Sequence, residues 1–279
     1  MIGQDQLKKS INKWRNLPMF MIIEGSKGSG RKTLVRYIAK RFEADSIVVG
    51  TSVEDVRNII QDAQSIFKPR IYVIDGNTLS MSALNSLLKI AEEPPKNCHI
   101  AMIVDSINNA LPTLASRAKT LTMLPYTTDD KLAFLNNHKK IERDSLDSRT
   151  LIDYCLLASN LAMLDEILTY GAEEIFEKVT TFFDLIWGAS ESNSLKVTNW
   201  LKFKDSDTDK IDPILFFKCL LNWSSVITIR EGTSMSFDEI QDHDRLVREA
   251  STCLRKIQRR GANARIYVNR FLRKVKAVE

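Results

Sequence analysis

Cysteine is scarce in this chain, and the few cysteines that occur are far apart. The four cysteines among 279 residues match no zinc-site spacing: Cys98, Cys155, Cys219 and Cys253. No apolar run approaches the roughly 18 to 20 residues that cross a bilayer, and the first residues carry no apolar signal region. We therefore expect a cytoplasmic protein whose thiols stay reduced.

Histidine is equally scarce, and His99, His138 and His243 are isolated from one another. None has a neighbour that suggests a general base or a metal ligand. The apolar content of 44% and the charged content of 27% are ordinary for a soluble globular protein. The length suffices for two or three small domains. The sequence thus predicts a multidomain soluble protein without a metal site.

Five short apolar segments alternate with helical ones in the first half of the chain. Nearly continuous apolar runs are typical of parallel strands covered on both faces, so the pattern predicts a doubly wound α/β domain. The helix that opens at Ser52, with Asp55 in capping-box spacing, should bury Val56, Ile59, Ile60 and Ala63. The predicted strands are Met19–Ile23, Ile47–Val49, Ile71–Asp75, His99–Val104 and Thr120–Leu124.

After Pro125 the strand pattern stops and only helical spacing remains. Gly171 is expected to end one of these helices. Besides Lys32–Phe42 in the first half, the predicted helices are Asp129–His138, Ser148–Ser159, Leu161–Tyr170, Phe176–Gly188, Lys196–Phe203, Pro213–Ile229, Phe237–Arg259 and Ala264–Lys276.

A glycine-rich loop lies between the first strand and the first α/β helix, which is the setting of a phosphate loop. Gly25, Gly28 and Gly30 allow backbone N–H groups to converge on an anion. Counted from Gly25, Arg31 stands where the motif has Lys, and Lys32 stands where it has a magnesium-binding Ser or Thr. A loop bulged by one residue would restore Lys32 and Thr33 to those roles. Both registers remain open, and any nucleotide binding should depend little on Mg²⁺.

The strand Ile71–Asp75 ends in a single acid. In nucleotide-hydrolysing P-loop proteins such an Asp orders Mg²⁺, and an adjacent Glu polarises the attacking water. Here the adjacent residue is Gly76. Asp75 is therefore either a magnesium partner or, as we favour, a cap for the turn towards Thr78.

Three segments of the chain read as extended motifs. The residues from Ala83 to Pro95 read ALNSLLKIAEEPP, those from Leu111 to Arg117 read LPTLASR, and those from Ile2 to Gln6 read IGQDQ. These segments resemble motifs of bacterial clamp-loader subunits, with the delta-prime group fitting best, and the first is similar to the helix after the family's Walker B strand. The likeness runs from residue 2 to about residue 125, and residues 150–279 match only loosely.

The resemblance implies an AAA+ P-loop domain, with a parallel five-stranded sheet in the order 5-1-4-3-2, followed by an all-α lid and an all-α collar that oligomerises. The implied domains are 1–125, 126–175 and 176–279. Arg117, with Ser116 before it, would be an arginine finger given to a neighbour's ATP site, since a fork of donors suits phosphate. Ser106 lies at the family's sensor position. Between Arg149 and Lys178 no basic residue can serve as a second sensor.

The implied partners are clamp-loader ATPase subunits and other ring subunits, a sliding clamp and, through the complex, primed DNA. No cofactor is expected to be required, although ATP or ADP binding is possible. The chain has a formal net charge of +5. From Arg245 to Glu279 there are eleven Lys or Arg against two acids, a net charge of +9, so the other 244 residues carry a net charge of about −4. Such a basic end can be a footprint for nucleic acid or the solvated face of amphipathic helices. Arg255, Lys256, Arg259 and Arg260 are the candidate DNA contacts.

Three functional hypotheses follow from these residues. The favoured one is a non-catalytic delta-prime-like subunit that completes an ATPase ring. The second is a self-sufficient AAA+ ATPase with a bulged phosphate loop, using Lys32, Thr33 and Asp75. The third is a DNA-binding adaptor that relies on the basic C-terminal helices. An ATPase assay with and without DNA separates the first two.

Overall fold

The computed structural model describes residues 1–137, 147–186, 191–203 and 210–276. The chain forms two compact units, Met1–Asp130 and Lys131–Glu279. The finer division of residues 126–279 into a lid and a collar stays a prediction. Of the predicted helices, positions 138 and 187–188 fall outside the described residues. Within the described part of the chain, no helix is both long and apolar enough to span a membrane.

The first unit is built on a parallel five-stranded sheet in the order β2-β3-β4-β1-β5. This confirms the predicted α/β fold and the strand order that the resemblance implied. The strands are β1 Phe20–Glu24, β2 Asp45–Val48, β3 Arg70–Asp75, β4 Cys98–Val104 and β5 Lys119–Thr122. The helices are α1 Asp5–Asn12, α2 Arg31–Arg41, α3 Val53–Gln64, α4 Met81–Glu92 and α5 Pro112–Ala115, with a 3₁₀ turn at Ile107–Asn109.

Each face of the sheet carries its own apolar core, because β1, β3 and β4 alternate their side chains between the two faces. One core joins the strands to α1 and α2 through Ile11, Leu34 and Ile38. The other joins them to α3, α4 and α5 through Ile59, Leu87 and Leu114. Ser52 and Asp55 form the predicted capping box at the start of α3.

Two predictions about burial are wrong. All four residues of β2 are exposed, because this strand lies at the edge of the sheet and pairs with β3 alone. Ile60 was assigned to the buried stripe of α3, yet it is 38% exposed. The other members of that stripe, Val56, Ile59 and Ala63, are buried as predicted. The buried face of α3 is therefore narrower than the stripe of apolar residues in its sequence.

The second unit is helical. A cluster of aromatic rings lies in its core. The ring centroids are 4.9 Å apart for the pair Phe217 and Phe271, and 5.9 Å apart for the pair Phe182 and Phe216. Leu246, Ala250, Cys253 and Ile257 form the predicted buried stripe of α12. Its helices are α7 Ser148–Leu157, α8 Leu161–Tyr170, α9 Ala172–Ile186, α10 Glu191–Trp200, α11 Pro213–Glu231, α12 Phe237–Ile257 and α13 Ala264–Lys276, and α6 Thr128–Asn136 spans the boundary between the units.

Candidate phosphate-loop and arginine sites

The glycine-rich loop between β1 and α2 is packed tightly against the segment that follows β5. A Cβ atom on Gly30, whose φ is 90°, would lie 2.7 Å from the Tyr126 hydroxyl oxygen. A Cβ atom on Gly25 would lie 2.7 Å from Cβ of Met123. The Tyr126 hydroxyl donates to the Ser29 carbonyl at 2.9 Å, and burial raises the pKa of this hydroxyl. The loop therefore needs glycine at Gly30 for both its conformation and its space.

Helix α2 begins at Arg31, with Gly30 as its N-cap residue. The Gly30 carbonyl accepts a regular helical hydrogen bond from Leu34 N at 2.9 Å, so the loop is not lengthened by a bulge. Arg31 is buried, and its Nη1 donates to Asp105 Oδ1 at 2.7 Å. Lys32 and Thr33 are exposed in the first turn of the helix. The loop, which has the motif's ordinary length, thus carries a guanidinium at the motif's lysine position, and that group is paired with Asp105.

A short polar network joins the carboxyl ends of β3 and β4. The Asp75 carboxylate accepts from the backbone N of Asn77 at 3.1 Å and from its Nδ2 at 2.9 Å. Asn77 Oδ1 in turn accepts from the backbone N of Asp105 at 2.9 Å. Asp75 also accepts from the Thr78 hydroxyl through its carbonyl, at 3.2 Å. Asp75 therefore serves the turn after β3 in this arrangement.

Asn77 and Asp105 were not among the candidate site residues. The signal was available for Asp105, because it follows a buried parallel strand, and the carboxyl ends of parallel strands meet at one edge of the sheet. The missing information was that β4 lies beside β1, which places Asp105 next to the phosphate loop. Ser106 caps the 3₁₀ turn, with its Oγ accepting from Asn108 N at 3.3 Å.

The place of a catalytic acid next to Asp75 is filled by neighbouring side chains. A Cβ atom on Gly76 would lie 2.8 Å from Met102 Cγ and 2.8 Å from Val104 Cγ1. Contacts this short do not occur for real Cβ atoms, and both neighbours are buried on β4. A glutamate at position 76 therefore cannot enter without displacing the core beneath it.

The donors of the loop suit a phosphate better than a metal ion. The first turn of a helix such as α2 leaves backbone N–H groups without intrahelical partners. Ser29 is 6% exposed, and its buried hydroxyl has no hydrogen-bond partner in the described part of the chain. Among the described residues no group of three or more His, Cys, Asp or Glu side chains could hold a metal ion. The start of α2 and the Ser29 hydroxyl are thus the donors that the loop offers to an anion.

Arg117 follows α5 and lies at the surface, with its side chain 42% exposed. Its Nη1 donates to the Thr113 carbonyl at 2.8 Å, and its Nη2 lies 3.1 Å from Glu92 Oε1. The preceding Ser116 turns its hydroxyl to the same Thr113 carbonyl at 3.0 Å. The guanidinium is thus held at two points, by one carbonyl and one exposed carboxylate at the end of α4.

The four candidate DNA contacts belong to the second unit, and two of them have contacts within the fold. Arg255 donates to Thr252 Oγ1 at 3.2 Å, and Lys256 lies over the ring of Tyr267 at 5.9 Å. Arg259 and Arg260 are exposed just beyond α12. Two of the four cations therefore already have partners within the fold.

Comparisons with known sequences agree with the motifs. Residues 43–127 match the family described as DNA polymerase III, delta subunit. A delta-prime subunit of DNA polymerase III from Buchnera aphidicola is 26% identical over 172 residues, covering 60% of this chain and 48% of that protein. A gamma/tau subunit from Mycoplasma genitalium is 24% identical over 214 residues, covering 62% of this chain and 36% of that protein. The chain thus matches about a third to a half of these relatives' length.

Solved structures agree with the fold. A DNA polymerase III gamma subunit-related protein from Thermotoga maritima aligns with 98% of this chain and 98% of its own, at 17% identity and a TM-score of 0.51. The AAA domain of FIGL-1 in complex with ADP covers 63% of this chain and 72% of its own, at 17% identity and a TM-score of 0.51. These likenesses confirm the predicted AAA+ architecture with a helical second part.

Proposed function

We propose that this clamp-loader-like chain of AAA+ type is a non-catalytic, delta-prime-like subunit of a DNA polymerase clamp loader. It completes a ring of ATPase subunits and supplies Arg117 to the ATP site of a neighbour. Through that ring it helps to open a sliding clamp and to place it on primed DNA.

The observation that carries this proposal is the closed space at Gly76. Hydrolysis needs a group that activates water next to the metal-binding acid. At this position the chain has no side chain, and Met102 and Val104 lie 2.8 Å from where a Cβ would be. The absence of a catalytic acid at position 76 therefore reflects the packing of the sheet as well as the residue type at that position.

The state of Arg117 supports the second half of the proposal. An arginine finger acts on a phosphate outside its own subunit, so its side chain has to be exposed and has to make only weak contacts within its own subunit. Its ion pair with Glu92 joins two groups that are 42% and 51% exposed, and such surface pairs contribute only about 0 to 1 kcal/mol. A phosphate of a neighbouring subunit can replace Glu92, because it offers more charge to the same fork.

No cofactor is required for this role. If ATP or ADP binds, the loop N–H groups and the Ser29 hydroxyl hold a phosphate, while Arg31 stays with Asp105. Mg²⁺ adds little, because Lys32 stands at the position of the metal ligand. The supporting observation is the unpartnered Ser29 hydroxyl beside the start of α2.

The two rival functions have less support. A self-sufficient ATPase needs the bulged register, whereas the Gly30 carbonyl bonds to Leu34 N as in an unbulged helix start. A DNA-binding adaptor acting through the C-terminal helices needs free cations there, whereas Arg255 and Lys256 have partners within the fold.

The isolated chain should hydrolyse ATP no faster than its Lys32→Ala variant, with or without DNA. The physical reason is that no acid can activate water beside Asp75. Steady-state release of phosphate from purified protein measures this. A turnover above roughly 0.1 s⁻¹, low for an enzyme, that Lys32→Ala abolishes would establish the rival ATPase. A Lys40→Ala variant, which removes an exposed cation from the same helix, controls for charge.

A further inference from the structure

Basic side chains are concentrated on the outer faces of α1 and α2. Residues 1–42 contain ten Lys or Arg and two acids. One of these acids, Asp5, is paired with Lys8. The other, Glu24, accepts from the backbone N of Ile107 at 2.9 Å and from the Thr122 hydroxyl at 3.0 Å. The positive charge of this region is therefore not neutralised from within it.

The cations of α2 form a stripe opposite its buried face. Lys32, Arg36 and Lys40 follow one another at steps of four residues and are all exposed, while the apolar residues of the same helix pack on the sheet. Four residues rise about 6 Å along a helix, so the stripe presents three charges in a row over about 12 Å.

Helix α1 extends this surface. Lys9 and Lys13 are exposed and also one step of four residues apart. The two helices are in contact at Tyr37, whose hydroxyl donates to Asn12 Oδ1 at 3.0 Å, so the exposed cations of both helices belong to the same part of the first unit. We call Lys9, Lys13, Lys32, Arg36 and Lys40 the basic face.

One carboxylate lies near the basic face: Asp5, which is paired with Lys8, has its pKa lowered in part by the charge of Lys9. Among the described residues, none of its five side chains has a hydrogen bond, an ion pair or a ring contact. Exposed like charges at steps of four residues repel one another. The nearest acid along the chain from α2 is Glu43, an exposed residue just after the helix. The face thus carries a concentration of cations that the fold itself does not use.

We propose that the basic face binds the phosphate backbone of nucleic acid. A row of exposed, unpaired cations at regular spacing matches a polyanion, whose duplex form has one charge per about 1.7 Å of axis. An anionic membrane fits less well, because the apolar side chains of α2 are buried in the core and cannot insert into lipid. Contacts of this kind fix position and carry no base sequence.

The test is a titration of a labelled 20-base-pair duplex with the full chain, followed by fluorescence anisotropy between 50 and 200 mM NaCl. One variant replaces Lys9, Lys13, Arg36 and Lys40 by Gln, and leaves Lys32 in place because it lies in the phosphate loop. The matched control replaces Arg57, Lys68, Lys89 and Lys96 by Gln, which removes the same charge from exposed positions elsewhere in the first unit. A single Arg36→Glu change serves if the fourfold variant melts lower than the wild type.

The basic-face variant should bind the duplex at least about tenfold more weakly at 100 mM NaCl. It should also lower the slope of log K against log salt by up to roughly 3.6, at about 0.9 for each lost phosphate contact. The control should stay within about threefold of the wild type.

Three results overturn the proposal. One is a wild type that binds no duplex. Another is equal loss in both fourfold variants, which would mean that net charge alone acts. The last is a basic-face variant that keeps DNA binding but loses binding to vesicles containing phosphatidylserine.

Discussion

Gly76 shows how one residue decides what this site can do. A Cβ atom added to Gly76 would meet the side chains of two β4 residues, so the space that a catalytic acid would use belongs to the core. Restoring the acid by mutation should therefore fail for reasons of packing. Gly76→Glu should lower the free energy of unfolding by about 1 to 3 kcal/mol, as overpacking does, and should create no ATPase activity.

Urea unfolding and phosphate release together measure this outcome. Asn77→Glu, at the exposed next position, adds the same side chain without the clash, although it also removes the amide that bonds to Asp75. A Gly76→Glu protein as stable as the wild type and active on ATP would show that the site had merely lost its acid.

At the scale of single elements, the strands were the most predictable part. Each central strand is a nearly continuous apolar run, and its observed bounds differ from the predicted ones by at most one residue, against at most two for β2 and β5. Helix α8 begins and ends at the predicted residues, because Asn160 caps its start and Gly171 follows its end. Local sequence determines these elements almost alone.

Features that depend on the arrangement of elements were not predictable. The exposure of β2 follows from its place at the sheet edge, which only the strand order reveals. The Arg31–Asp105 pair exists because β4 lies beside β1, although the two residues are 74 positions apart. The basic face combines residues of two helices. Its positive charge was not apparent from the sequence, because residues 1–244 taken together have a net charge of about −4.

Helix α12 contains a buried histidine that should make the second unit sensitive to acid. His243 stacks on Phe183 with ring centroids 6.4 Å apart, and its Nε2 has no partner among the described residues. Burial lowers the pKa of His243, while the charge of Asp244 acts in the opposite direction. The unfolded chain thus binds a proton more readily than the folded one, so stability is lost as the pH falls below the ordinary histidine pKa of about 6.5.

Amide-hydrogen exchange of α12 at pH 7.5 and pH 5.5 measures this effect. Protection should fall at the lower pH in the wild type and fall less in His243→Phe, which keeps a stacked ring but cannot be charged. His99, whose pKa is also lowered by burial, lies in the first unit and remains in both proteins as the internal control. The same loss of protection in both proteins would assign the acid sensitivity to other groups.

At the scale of the whole molecule, the chain combines an α/β fold that has Gly76 beside Asp75 with an exposed arginine, Arg117, whose ion pair with Glu92 lies at the surface. Under the proposed function, the first property makes the chain passive in hydrolysis, and the second gives it a role only beside another subunit. Because the ion pair of Arg117 within its own chain is exposed, truncating this side chain should lower the free energy of unfolding by less than about 1 kcal/mol. Its effect should therefore appear only after assembly.

The most direct test of the account is the ATPase rate of rings reconstituted with clamp-loader ATPase subunits, clamp and primed DNA. Rings carrying Arg117→Ala should assemble normally and hydrolyse ATP more slowly. Loss of one positioned donor costs on the order of 100-fold at its own site and less in the sum over several sites. Arg117→Lys should rescue poorly, because it offers one point charge and no fork. Equal rates for the wild type and both variants would contradict the account and leave the chain a scaffold only.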